Sequence, residues 1–429
     1  HFDRRGIIER LRGLVTGGPM ASPPRGGRTE ALRLLDSYDP AGYGKGRNHL
    51  DGPVSRLSPY LRHGMISAPE VLARLRERFP GQPERLAEFT RQLAWRDFFA
   101  KVLAWHGRGL GDDIEDPKHA VARDARTPLD MIAGDTGLPC VDGMLGDLYQ
   151  TGYLHNHARL WFAAYWCHFR GLDWREGARL FRRFLLDGDT ASNSSSWQWV
   201  EGTFASKPYF MNRENIEGFS GGRWCQGCRA ACPFDRSYPD LQRVLFAGSL
   251  APLAGRGGDA SGPEPAPWID EPAPAMPRAT EIAWVHDGAM SWASPAVAAN
   301  PVAPVVFVFD ALAMRSEPPA RHRVEFMLDG LEDMAGRMPN PLTVLAGDWA
   351  ESVGRAAEAA GATTIHVEKS HEPAVAEAAG RLAERFRVVE HEAPELARYD
   401  DEPRRFSRYW DKVCPQLTGS PARKGRLHH

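Results

Sequence analysis

Three things are scarce in this 429-residue chain: long apolar runs, an excess of charge of either sign, and cysteine. No apolar stretch approaches the roughly 20 residues that cross a bilayer, and the first residues lack the apolar core of a secretion signal. The expectation is a soluble cytoplasmic protein with no membrane partner. A formal net charge of -2 denies the chain an overall basic character, so any nucleic-acid surface must be a local patch. Six cysteines are too few for a disulfide framework. Three of them crowd together as Cys225, Cys228 and Cys232, which reads as a metal site in a reducing compartment.

The remaining composition, 42% hydrophobic and 25% charged, is that of a globular protein of two or three domains, each able to bury a core. Leu427-His428-His429 reads as a tag remnant and the first residue is not Met, so neither end enters the functional argument. Residues 1 to about 28 carry Gly17-Gly18-Pro19 and Pro23-Pro24-Arg25-Gly26-Gly27, which disfavour helix and predict a flexible, loosely held leader. From 29 to 247 long amphipathic stretches, Ala68 to Phe79, Leu86 to Trp105 and His155 to Phe169, predict an all-α domain. Residues 248 to 279 are rich in Pro, Ala and Gly and read as a linker.

Beyond 280 the pattern changes. Short β-branched runs at Ile282–Val285, Val305–Phe309, Thr343–Leu345, Thr364–Val367 and Arg387–Val389 alternate with helical patterns near 320–337, 349–360 and 371–385. That alternation predicts an α/β domain with a parallel sheet.

The stretch from Asp187-Gly188-Asp189 through Asn193 to Trp197-Gln198-Trp199 follows a helix and gathers two acids, an amide and small hydroxyl residues beside large aromatic faces. Read from composition alone, it is equally a Ser-rich turn at an acidic helix end. Further stretches stand before it: Ser55-Arg56-Leu57-Ser58-Pro59-Tyr60-Leu61, Leu93-Ala94-Trp95-Arg96-Asp97-Phe98-Phe99, Thr136 to Gly143, Thr151 to Leu160 and Asp173-Trp174-Arg175-Glu176-Gly177. Together and in this order they resemble the flavin-binding domain of the photolyase/cryptochrome superfamily. Trp284 to Met290, Pro304 to Asp310, Leu345 to Asp348 and Phe406 to Trp410 resemble the superfamily's Rossmann-like α/β domain. Relatives carry that domain first, so the resemblance implies circularly permuted order.

What the resemblance implies for the site can be stated residue by residue. Ser55, Leu57 and Ser58, with Tyr43 a weaker candidate, would contact the diphosphate and ribityl chain of FAD, which suits an anion at a helix start. Arg96 belongs to the same cofactor-binding set. Arg159 and Asp187 would form an ion pair against the isoalloxazine, Asp189 would accept hydrogen bonds from it, and Asn193 would face its N5. Trp197 and Trp174 match the inner members of an electron-transfer chain, whose outermost position falls near Val121 rather than on a Trp. A buried Trp that merely packs is the plainer reading of any of the 13 indoles.

The cysteine pattern Cys225-x2-Cys228-x3-Cys232-Pro233 suits iron–sulfur or zinc, and spacing does not choose between them. The resemblance extends to an iron–sulfur bacterial subgroup and implies a [4Fe-4S] cluster on Cys140, Cys225, Cys228 and Cys232, with zinc the alternative. Cys167 and Cys414 read as buried small hydrophobes. An antenna chromophore is a further implication, its identity unspecified.

For activity the resemblance implies a monomeric lyase that repairs cyclobutane pyrimidine dimers in DNA under blue light. Trp95 and Trp199 would stack on the flipped lesion and Asn156 would hydrogen-bond it. Gln92 stands where relatives carry Glu, and Leu160 where they carry Met, which points to the alternative of a cryptochrome-type sensor. A flavin enzyme acting on a small molecule is a third class. Arg91, Lys207 and Arg213 are the basic residues nearest the motifs.

Overall fold

The computed structural model describes residues 2–18, 20, 23–119, 123–124, 126–247 and 274–419. Val121, most of the expected linker and the C-terminal histidines lie outside the described residues.

The chain begins with helix α1 (Arg4–Arg10), capped by the Asp3 carboxylate accepting from Gly6 N–H. Ile7, Leu11 and Leu14 are buried in the main core. Arg4 pairs with Asp329 at 2.6 Å and Arg10 donates to the Val344 carbonyl at 3.2 Å. The expectation of a loosely held leader is therefore corrected: the helix ends at Arg10, well ahead of Gly17-Gly18, and the segment docks on the α/β half through an apolar face.

The helical half follows. Helix α2 (Ser58–Arg62) starts with Pro59 in its first turn, where a missing N–H is harmless. Helix α3 (Pro83–His106) runs 24 residues and ends where Gly107 turns to φ 56°. Helices α4 (Pro139–Thr151), α5 (Asn156–Ala164), α6 (Trp174–Phe184) and α7 (Ala191–Glu201) then pack around a core holding Trp161, Phe162, Trp166, Trp174, Phe181 and Trp197. Helix α5 passes into a π-helical turn over Tyr165–Phe169.

The α/β half is built on strands β1 (Glu281–Val285), β2 (Val305–Asp310), β3 (Leu342–Gly347), β4 (Thr364–Glu368) and β5 (Arg387–His391). They form one parallel sheet in the order β3-β2-β1-β4-β5. All five extend one to three residues beyond the β-branched runs that predict them, β4 by Glu368. Hydrogen bonding carries the pairing past the point where apolar side chains stop. Helices α8 (Arg321–Arg337), α9 (Trp349–Ala360), α10 (Pro373–Ala383) and α11 (Phe406–Thr418) complete this half.

Burial on both faces explains the unbroken apolar run Val305-Val306-Phe307-Val308-Phe309. Ile282, Trp284, Val306, Val308 and Ile365 face α9 and α10. Ala283, Val285, Val305, Phe307 and Phe309 face a core shared with the helical half, where Phe98 and Met65 lie. Polar contacts reinforce this shared core: Arg62 meets Asp287 at 2.8 Å, Arg405 meets Glu115, and the Tyr409 hydroxyl donates to Asp97 at 2.6 Å. No described helix is long and apolar enough to cross a membrane.

Candidate functional site

The turn between α6 and α7 gathers most of the polar residues singled out from sequence. Asp187 accepts from Arg159 Nη2 at 2.9 and 3.1 Å through its two oxygens, while Arg159 Nε donates to the Leu154 carbonyl at 2.8 Å. Burial resists ionisation of Asp187, yet Arg159, the Ser58 hydroxyl and Arg96 outweigh it and hold the carboxyl below its ordinary range. Ser58 starts α2, preceded by Leu57, whose N–H donates to Ser55 Oγ at 3.4 Å. Ser58, Arg96, Arg159 and Asp187 thus meet around one point.

Gly188 carries the turn because nothing larger fits: a Cβ there would lie 2.8 Å from the Arg182 Cα. Its carbonyl accepts from Arg62 Nε at 3.2 Å and Arg323 Nη2 at 2.6 Å, one from each half of the molecule. Thr190 donates to Glu372 at 3.1 Å, a second tie from the turn to the α/β half.

Asp189 is held by partners within the protein. Its oxygens accept from Ser192 N–H at 2.6 Å, Ser192 Oγ at 2.7 and 2.8 Å and Asn193 N–H at 3.3 Å, and face Arg96 at 3.4 Å. The carboxylate caps the first turn of α7, where unpaired N–H groups and the helix dipole favour an anion. Asn193 Nδ2 donates to the Ala178 carbonyl at 2.8 Å, which fixes the amide between α6 and α7.

Behind this turn lie the indoles. Trp197 is 2% exposed and meets the rings of Phe162, Trp166 and Phe181 at 6.4, 6.1 and 5.1 Å. A Cβ on Gly177 would lie 2.2 Å from Trp197 Cη2, so the glycine one turn after Trp174 is what lets Trp197 reach α6. Trp174 Nε1 donates to Asp113 Oδ1 at 3.0 Å. Asp113 was not foreseen, because 61 residues separate it from Trp174 and no local pattern marks it.

The other foreseen residues line the surroundings. Trp95 on α3 stacks on Phe406 of α11 with centroids 3.7 Å apart and planes 9° from parallel, so one of its two faces is already covered. Trp199 lies 5.6 Å from the Tyr209 ring, and Tyr43 packs edge-on against Phe89 at 5.3 Å. Asn156 is the exposed first residue of α5, and the preceding His155 caps that helix by accepting from His157 N–H at 3.2 Å. Burial keeps His155 neutral, pushing its pKa down to about 4. Gln92 Nε2 donates to Glu88 at 2.8 Å. Of the basic candidates, Arg91 lies 3.7 Å from Glu88 and Arg213 3.0 Å from Asp235, while Lys207 is exposed.

A second site lies at the far end of the helical half. Cys140, near the start of α4, lines one cavity with Cys225, Cys228 and Cys232, together with Trp224 and Phe234. Burial, with Cys225 and Cys232 close by, pushes the Cys140 thiol up to about 12. Among the described residues no three Cys, His, Asp or Glu side chains converge as they would around a single bound ion.

Residues 89–235 match the family model for the FAD binding domain of DNA photolyase, and residues 286–423 match the model for DNA photolyase. The chain belongs to the photolyase/cryptochrome superfamily. The photolyase match from 286 begins just after β1 and covers strands β2 to β5, and the FAD-domain match covers the Asp187 turn and the cysteine corner. A deoxyribodipyrimidine photo-lyase from Streptomyces griseus is 41% identical over 184 residues, which is 42% of this chain and 40% of that protein. A cryptochrome DASH from Idiomarina loihiensis is 33% identical over 192 residues, 42% of each chain. A bacterial class III photolyase structure from Agrobacterium tumefaciens shares 28% identity with a TM-score of 0.41, over 53% of this chain and 52% of that one. The chain spans about two fifths of the length of the curated relatives it matches.

Proposed function

We propose that this chain is a light-dependent FAD flavoprotein that repairs cyclobutane pyrimidine dimers in DNA. The observation that carries the reading is the buried Arg159–Asp187 pair, joined by Ser58 and Arg96 at the turn ahead of Trp197. The donor set fits the dinucleotide. Ser58 at a helix start and the guanidiniums of Arg96 and Arg159, 27% and 22% exposed, suit a diphosphate and a polarised ring edge. Asp187 and Asn193 offer acceptor and amide to a heterocycle.

When bound, FAD supplies a photoexcitable electron carrier. The protein's own part is to hold it: Arg159 balances Asp187 without water, Asp189 fixes the α7 N-terminus, and Gly188 lets both halves grip the turn. Trp95, Trp199 and Asn156 would receive the flipped lesion, with the uncovered face of Trp95 available for stacking. The homologues named deoxyribodipyrimidine photo-lyase support this substrate. Illuminating the reduced protein with a dimer-containing oligonucleotide tests it: loss of the lesion is expected, and intact lesion beside normal flavin photoreduction would contradict repair. That second outcome is what the cryptochrome-type sensor predicts, a reading favoured by the Gln92 amide tied to Glu88.

Two finer points belong to this reading. The FAD-domain match precedes the photolyase match in this chain, which supports permuted order. The four cysteines around one cavity are the thiolate donor set that a [4Fe-4S] cluster, or zinc as the alternative, would use. A tetrahedral zinc ion draws its thiolates to about 3.8 Å from one another, whereas an iron–sulfur cube holds them further apart around itself. Iron and acid-labile sulfide content decides between them.

A further inference from the structure

Three indoles, Trp166, Trp174 and Trp197, are buried in the core beside α6 and α7, and what each N–H touches differs. Trp197 Nε1 is buried without a hydrogen-bond partner. Trp166 Nε1 donates to a neutral acceptor, the Asp173 carbonyl, at 2.8 Å. Trp174 Nε1 donates to a carboxylate, Asp113 Oδ1, at 3.0 Å. We infer that Asp113 is the anion that stabilises oxidised Trp174, and that it makes Trp174 the end of the electron relay inside this protein.

The physical argument is electrostatic. Removing an electron from an indole leaves a positive charge on the ring and strengthens its N–H as a donor. In a buried setting a carboxylate at hydrogen-bond distance stabilises that charge far more than a carbonyl does, and an unpartnered N–H receives no help. The surroundings of Trp174 are arranged accordingly. Asp113 contacts Arg123 at 2.6 Å and Arg175 at 3.1 Å, and these in turn contact Glu201 at 2.7 Å and Asp173 at 3.2 Å. Three carboxylates face two guanidiniums, so the group carries one net negative charge. Burial resists ionisation of Asp113, but the Trp174 N–H and Arg123 prevail and keep it charged. Arg175, whose guanidinium lies 4.9 Å from the Trp174 ring, opposes the effect, and its own two acids offset it.

The connection is built as well. Gly177 lies one turn after Trp174 on α6, and Trp197 fits against its bare Cα. Trp166 is also near, in edge contact with Trp197 at 6.1 Å, but its N–H meets no anion. The step is a pure electron transfer: Trp197 loses one electron to the oxidant, Trp174 refills it, and the Trp174 proton stays in the bond to Asp113. A thiol reductant in solution later returns the electron. A relay that ends here needs no third indole, consistent with Val rather than Trp at position 121. The inference rests on the proposed function in one respect, that photoexcited FAD is the oxidant.

Flash photolysis of the FAD-loaded protein, with the tryptophan radical followed by transient absorption and electron paramagnetic resonance, tests this. Asp113→Asn and Trp174→Phe should each lower the yield of long-lived radical at least about tenfold, Asp113→Glu should restore it, and Trp166→Phe should leave it unchanged. Circular dichroism and the flavin spectrum of each variant separate misfolding from loss of the sink. An unchanged yield in folded, flavin-loaded Asp113→Asn overturns the inference, as does loss of the radical in Trp166→Phe but not Trp174→Phe. A wild-type protein that takes up no flavin would instead refute the proposed function.

Discussion

The Asp187 turn and the cysteine corner belong to the same helical half, yet they are prepared for their ligands in opposite ways. At the turn, Arg159 satisfies Asp187, Ser192 and Asn193 satisfy Asp189, and Arg62 and Arg323 satisfy the Gly188 carbonyl. Each of these acceptors has a donor before any ligand arrives. At the corner, Cys225, Cys228 and Cys232 are half-buried thiols around a cavity, and no three ligand-type side chains there close on one point. The first is a pre-organised site that also holds the fold together. The second would draw its closing force from the proposed metal or cluster.

The difference can be broken from the turn first. Asp187→Ala leaves the half-buried Arg159 without its carboxylate, and because that guanidinium is 22% exposed the cost should fall below the about 3–5 kcal/mol of a fully buried pair. The expected result is a lower denaturation midpoint even in flavin-free protein, with flavin retention lost alongside. Gly177→Ala should cost about 1–3 kcal/mol by overpacking, because its Cβ would collide with Trp197. Chemical denaturation followed by tryptophan fluorescence would read both.

A buried acid without a cation shows what the turn avoids. Glu368 in the α/β half is pushed up to about 7 by burial, with only the Ser294 hydroxyl, 2.7 Å away, to oppose it. Between pH 4.5 and 7 the unfolded chain loses this proton while the folded chain keeps it, so stability falls as pH rises through that window. Glu368→Gln removes the effect. It should stabilise the protein at pH 8 by at most about 3 kcal/mol and change little at pH 4, measured by urea denaturation at each pH.

The smallest effect is expected at the corner. Cys225→Ser should shift the stability of metal-free protein by less than about 0.5 kcal/mol, since the thiol there is only half-buried. In cluster-loaded protein the same change should release iron, visible as loss of visible-range absorption. A large loss of stability without metal would mean that the corner, like the turn, is pre-organised.

Sequence and structure agree best where a rule acts locally. The β-branched runs at 305–309 and 364–367 and the helical period of 86–105 reflect burial on two faces and on one, so strands and helices were legible to within a few residues. The α1 helix was missed, because the glycines and prolines after it outweighed the apolar spacing of Ile7, Leu11 and Leu14. Contacts distant in sequence were not legible from pattern. Arg159 and Asp187 stand 28 residues apart, Asp97 and Tyr409 312, and nothing local announces either pair. The first was reachable only through family resemblance. The stack of Trp95 on Phe406 and the Asp113 partner of Trp174 were reachable by neither route, since each depends on how separately folded segments meet.

The measurement that bears most directly on the account is the flavin released from purified, denatured protein, counted per chain for wild type and Asp187→Ala. One FAD per wild-type chain and almost none in a folded variant is the predicted result. A folded wild-type protein that carries no flavin and takes none up when it is supplied would contradict it.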